Sequence, residues 1–192
     1  MRFVRLILSF ALLFTMATTS TAEADDDSAW RALAAPGTVA VMRHALAPGF
    51  SDPENFDVND CTTQRNLNDA GRDQARRIGA ALRSRGLTFD KVYSSEWCRC
   101  QETAALLDIG PVTPLPALNS FFENRSSEPQ QTAYIRAFLA KNASRQKLFL
   151  VTHQVNIWAL AVHGTDSGEI IVVKPNPDGE MTYLGSILIP AN

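Results

Sequence analysis

The sequence predicts an α/β fold, a three-layer α/β/α sandwich around a mainly parallel, mixed sheet. Three observations carry this. Short apolar runs at residues 38–42, 91–93 and 148–151 alternate with longer segments of helical period, and that order places crossover helices over a parallel sheet. Loops rich in Gly, Pro, Asn and Asp separate them. Finally, residues 169–173 and 182–189, joined by the turn at 175–179, read as a hairpin, which adds at least one antiparallel strand near the end.

Each element has its own warrant. An acidic stretch at 23–28 reads as a mobile start, and the apolar residues 30–33 suffice for a helical turn before Pro36 and Gly37. The first strand, 38–42, runs into Arg43 and His44. Residues 45–64 have no period and form a long loop, which in a compact domain marks a functional segment. Asn68 is a good N-cap, and Ala75, Ile78 and Leu82 recur at helical spacing until Gly86 stops the helix. Its arginines at 72, 76, 77, 83 and 85 form mostly a solvated face.

The second strand, 91–93, is followed by Ser94, Ser95 and Glu96, which supply cap chemistry for a helix to about Leu107. Residues 111–116 are extended, 118–127 form a polar loop, and Pro129 opens a helix to about Asn142 that buries Ile135, Phe138 and Leu139. The strand ending at His153 leads into a helix over 155–162.

The chain has 192 residues and a formal charge of −2. Residues 1–24 read as a secretory signal: Arg2 and Arg5 precede an almost wholly apolar run at 6–17, and Ala22, Glu23 and Ala24 fit a cleavage site. That run is short for the roughly 20 residues of a membrane span, so cleavage is favoured over an uncleaved anchor. The mature chain, 25–192, is then a single domain, periplasmic or secreted, with no membrane span. Losing two arginines and one glutamate takes its charge from −2 to −3. Such a balance gives no support to nucleic-acid binding, so any anion must be held by a few local arginines. The oligomeric state stays open.

Three cysteines, Cys61, Cys98 and Cys100, imply one disulfide and one free thiol in an exported chain. A bridge between Cys98 and Cys100 would be strained, so Cys61 pairs with one of them. Metal binding by the C-x-C pair is the weaker alternative, because no ligand cluster of zinc spacing accompanies it.

Two of the three histidines, His44 and His153, end strand-like runs, and Arg43 stands beside the first. Ligands of open α/β sheets bind at the carboxyl ends of the strands. Arg43-His44, the 67–75 segment with Gly71, Gln74 and Ala75, the 94–104 segment with Ser94, Ser95, Arg99, Thr103 and Ala104, and Thr152-His153 occur in that order. Together they resemble the histidine phosphatase superfamily, in the branch that includes phosphoglycerate mutases, over most of the mature chain.

The resemblance implies a phosphoglycerate mutase-like fold and an exported phosphomonoesterase acting on small phosphorylated substrates. His44 is then the nucleophile, with Arg43, Arg99 and His153 around the phosphate. Guanidinium forks bind the spread charge of a phosphoryl group without a metal or cofactor. Neighbouring arginines keep His44 neutral, and His153 as a cation adds a third positive donor. His163 follows a helix rather than a strand, has no arginine neighbour, and reads as structural or surface.

The resemblance also implies a carboxylic acid after the third strand, and Glu123 is the candidate. It departs from the family's usual Leu-x-Glu pattern by three residues, Ser120 standing at the expected place; Glu128 and Asp52 are the alternatives. Ala45 replaces the glycine usual after the histidine. Thr62, Thr63 and Arg65 lie where relatives close over phosphate. The shifted acid keeps a second reading open, a phosphate- or phosphosugar-binding protein without turnover.

Overall fold

The computed structural model describes residues 21–191. The predicted export signal lies almost wholly outside them. A six-stranded mixed sheet has the order β3-β2-β4-β1-β5-β6. Its strands are β1 (Val39–Arg43), β2 (Lys91–Ser94), β3 (Val112–Pro114), β4 (Leu148–Thr152), β5 (Ile170–Pro175) and β6 (Met181–Ile187). β1 and β2 both pair parallel with β4, β3 pairs parallel with β2, and β5 lies antiparallel to β1 and β6.

Five helices cover the sheet: α1 (Thr21–Ala34), α2 (Asp69–Ser84), α3 (Cys98–Leu107), α4 (Glu128–Asn142) and α5 (Gln154–Ala161). Alternate residues of β1 point to opposite faces. Ala40 and Met42 join a core with α1, α2 and α3, including Leu33, Ile78, Leu82 and Leu107. Val39 and Val41 join a second core with α4 and α5, including Ile135, Leu139, Ile157 and Leu160. From β1 the chain moves to β2 and β3 on one side, then returns to insert β4 between β1 and β2. Right-handed crossovers require helices of opposite direction to take opposite faces. The point of reversal therefore falls where β1 and β4 meet, and each is followed directly by a histidine.

Three boundaries differ from expectation. The acidic start is not a loose lead but part of α1, which is anchored by fully buried Ala29 and Leu33. A Cβ on Gly185 of β6 would lie 2.9 Å from the Ala29 Cβ, so glycine there is what lets α1 sit on the sheet. The α3 cap is Trp97, not the serines, and has no side-chain cap bond. The reason is that Ser94 Oγ donates to Ser95 O and Ser95 Oγ is engaged by the site. Gln64 from the long loop instead accepts from the Cys98 amide at 2.9 Å. Last, one-turn helices at Pro116–Leu118 and Arg125–Ser127 interrupt the polar loop. Among the described residues, no helix is long and apolar enough to cross a membrane.

Candidate active site

Register builds the site. Arg43 of β1 lies beside Thr152 of β4, and Ser94 of β2 beside Val151. One residue further, His44, Ser95 and His153 therefore leave three adjacent strands at one rim. The His44 amide donates to Thr152 O at 3.0 Å and the Ser95 amide to Val151 O at 2.9 Å, which carries the sheet ladder into the site. The rings of His44 and His153 meet edge to face with centroids 5.5 Å apart.

The chain after His44 is held by the motif residues of α2. A Cβ on Gly71 would sit 2.0 Å from Leu46 O, so only glycine lets that loop cross the helix start. Gln74 accepts from the Leu46 amide at 3.0 Å and donates to Ser167 O and Ile189 O. Thr103 of α3 accepts from the Ala45 amide and donates to Arg99 O. These bonds explain why glycine, glutamine and threonine accompany the histidine in the sequence.

His44 is buried, and its Nδ1 lies 2.8 Å from Ala45 O. A carbonyl only accepts, so Nδ1 carries the proton and Nε2 keeps its lone pair. Burial pushes the His44 pKa well below the ordinary value, and the charges of Arg99, Arg65 and Arg43 add to it against the Ala45 bond. His44 is thus a neutral imidazole with an unprotonated Nε2.

His153 is likewise held neutral, by burial first and then by Arg99 and His44. This corrects the expectation of a cation: packed among arginines, His153 offers a hydrogen bond and not a charge. Its Nε2 is 2.9 Å from Ser95 Oγ, which donates to Asn119 Oδ1 and so takes the His153 proton as acceptor. Asn119 is fixed in turn by Glu96, through its own Nδ2 and the Glu96 amide. Ser95 and Asn119 are polar supports that the histidine pattern alone did not reveal.

Arg43 and Arg99 both carry a buried Nε with no protein acceptor among the described residues. Arg43 Nη1 donates to Thr165 O at 2.7 Å, which fixes the head of that side chain. Arg99 forms a bidentate pair with Asp52, Nη1 to Oδ1 at 2.7 Å and Nη2 to Oδ2 at 3.1 Å. Arg65 enters the same field: its Nε donates to Ser51 O at 3.1 Å, its Nη1 binds Ala47 O, and its charge is felt by both histidines. Three guanidinium groups beside two neutral imidazoles can hold a tetrahedral oxyanion.

Other predicted residues lie elsewhere. Among the described residues Thr62 bonds Asp60, and Thr63 bonds Asp57 and Asp60, so both brace their own loop. Asp52 cannot serve as the acid. Burial works to raise its pKa, but bonds from Arg99 and the Arg65 amide outweigh that and hold it ionised below the usual carboxylate value. Glu123 is exposed and accepts from Ser51 Oγ at 2.6 Å. Glu128 opens α4. His163 stacks on Tyr183 with centroids 4.4 Å apart, a structural placement as expected. Cys61 is bonded to Cys98, while Cys100 is free and buried with its thiol pushed up to about 12, chiefly by burial, so it is not a nucleophile.

The architecture is the phosphoglycerate mutase-like α/β fold. It is shared with the protein histidine phosphatase SixA in complex with tungstate (TM-score 0.56, 18% identity, 78% of this chain and 96% of that one). The alpha-ribazole phosphatase of Shigella flexneri also shares it (TM-score 0.55, 17% identity, 81% and 96%). In sequence, residues 40–124 match the model of the histidine phosphatase superfamily (branch 1), and this segment carries that superfamily's sequence pattern. A broad-specificity phosphatase of Saccharomyces cerevisiae is 51% identical over 41 residues, 21% of this chain and 18% of the relative. The chain thus matches under a fifth of the length of its curated relatives.

Proposed function

We propose that this protein is an exported, metal-independent phosphomonoesterase that works through a phosphohistidine on His44. One observation carries the reading: the proton of His44 is fixed on Nδ1 by Ala45 O, leaving the Nε2 lone pair beside Arg43, Arg65 and Arg99. In the first transfer Nε2 attacks phosphorus, the P–N bond forms and the ester P–O bond breaks. The leaving oxygen takes a proton, for which Glu123 is the proposed source. In the second, water attacks phosphorus and passes a proton to the Glu123 carboxylate, now the base, while the P–N bond breaks, Nε2 recovers its lone pair and inorganic phosphate departs. The arginines hold the equatorial oxygens through both steps, and the orphaned Nε groups of Arg43 and Arg99 find acceptors there. Neutral His153 gives its one N–H to Ser95 Oγ and packs its ring edge to face on His44.

Export is supported by the Cys61–Cys98 disulfide, a bond that persists in oxidising compartments. From that location alone, phosphosugars or phosphorylated envelope glycans are the proposed substrate class.

Hydrolysis of p-nitrophenyl phosphate with EDTA present tests the reading. Wild type turns over, His44→Ala is inactive, and turnover surviving in His44→Ala sinks the mechanism. A second reading rests on the exposed Glu123, tied to Ser51: a protein that binds phosphate esters without hydrolysing them. It predicts phosphate binding by calorimetry with no turnover in wild type.

A further inference from the structure

Asp52 lies in the aperiodic loop after β1, yet its carboxylate collects four donors from the site. Arg99 gives Nη1 and Nη2, the Arg65 backbone gives its amide at 3.0 Å, and Trp97 gives its indole Nε1 at 3.1 Å. The Arg99 side chain is 4% exposed and that of Asp52 13%, so this is a shielded pair and not a surface ion pair. Each donor belongs to something the site depends on. The Arg99 charge acts on both His44 and His153, Arg65 adds charge, and the Trp97 ring packs edge to face on His153 with centroids 5.5 Å apart while stacking on Phe56 of the same loop.

The two edges of the Arg99 guanidinium are therefore unequal. The end carrying Nη1 and Nη2 is filled by Asp52, and the side carrying Nε is buried without a protein acceptor. Arg43 shows the same division, with Nη1 on Thr165 O and Nε orphaned. A planar fork gripped at one end can rotate little, so its Nε–H is aimed before a ligand arrives.

We infer that Asp52 is the positioning residue of the phosphate site: it holds the end of Arg99 so that the Nε side meets the phosphoryl group, and it anchors the long loop to the same arginine. The inference rests on the reading that Arg99 binds phosphate. It requires no displacement of Asp52 by substrate, in contrast to a carboxylate that competes for the guanidinium.

The experiment is a double-mutant cycle read by calorimetric titration with inorganic phosphate, which needs no turnover. Asp52→Asn weakens binding about tenfold in the wild-type background, the scale of a charge-assisted hydrogen bond. In the Arg99→Ala background it changes binding less than about twofold, because Asp52 acts through Arg99. Asp52→Glu, which keeps the charge of the loop but moves it by one methylene, goes through the same cycle and shows the same dependence on Arg99. Equal losses in both backgrounds overturn the inference, and so does tighter phosphate binding by Asp52→Asn. Coupling through Arg99 in a wild type that binds phosphate but hydrolyses no ester supports the inference and refutes the phosphatase reading. A wild type that binds no phosphate overturns both.

Discussion

The two ends of this site are built differently. At the strand ends His44, Arg99 and His153 are each under 5% exposed, and every one is fixed by a backbone or buried partner. At the loop rim Phe50 is 82% exposed and packs edge to face on Phe122, while Glu123 has one hydrogen bond, from Ser51. Ser51 itself holds a left-handed backbone, φ +57°, which a non-glycine residue adopts at some cost. On the proposed reading the rigid end takes the phosphate, which is the same group in every substrate, and the rim, made of side chains from two loops, meets the leaving groups, which vary.

Beyond loss of activity in His44→Ala, the largest expected effect falls on the rigid end. Arg99→Ala should lower kcat/KM for an aryl phosphate by about 10²- to 10³-fold, the scale for losing one charged stabiliser of a transition state. The same substitution removes a charge that depresses the His44 pKa, so the acid limb of the pH profile should move to higher pH. A drop below tenfold with an unmoved limb would dissolve the distinction between the two ends.

The rigid end was also the legible one. Strand periodicity and the pairs at 43–44 and 152–153 locate it, and Gly71, Gln74 and Thr103 turn out to hold the loop after His44 for reasons of close packing. Asp52 was legible only as an acidic residue in a loop. Its partner Arg99 is 47 residues away, and no periodicity links a loop to a helix start through space. The neutrality of His153 was equally hidden, because it follows from burial among Arg99, His44, Arg65 and Arg43, which sequence spacing does not measure. The start of α1 was missed for a different reason: its polar turns carry no apolar period, and the anchor is the later trio Ala29, Trp30 and Leu33.

A smaller, selective effect belongs to the loop rim. An alkoxide leaving group needs a proton and a nitrophenolate does not. Glu123→Gln should therefore lower kcat on an alkyl phosphate about 10²-fold and leave p-nitrophenyl phosphate within about threefold. Ser51→Ala, which removes the hydroxyl that bonds Glu123, is a milder form of the same test. Equal losses on both substrates in Glu123→Gln would mean that Glu123 shapes the rim without donating a proton, and the acid must be sought elsewhere on the two loops.

The smallest effect, and the one that compares the ends without any substrate, is the pH dependence of stability. His44 and His153 have folded pKa values well below the unfolded value of about 6.5. As pH falls through 6.5 the unfolded chain takes up two protons that the native site refuses. Stability therefore rises with pH across this window and falls toward acid, with a limiting slope of about 2.7 kcal/mol per pH unit for two such groups. Asp52, whose folded pKa is also lowered, stabilises above its unfolded value and is lost only at more acid pH, so it does not blur the window. Urea unfolding between pH 7 and pH 5 measures the slope, and His44→Asn should reduce it by about half. Glu123→Gln should leave it untouched, since Glu123 is exposed. A slope unchanged in His44→Asn would show that the strand-end histidines titrate freely, and the contrast between a closed phosphate end and an open rim would no longer hold.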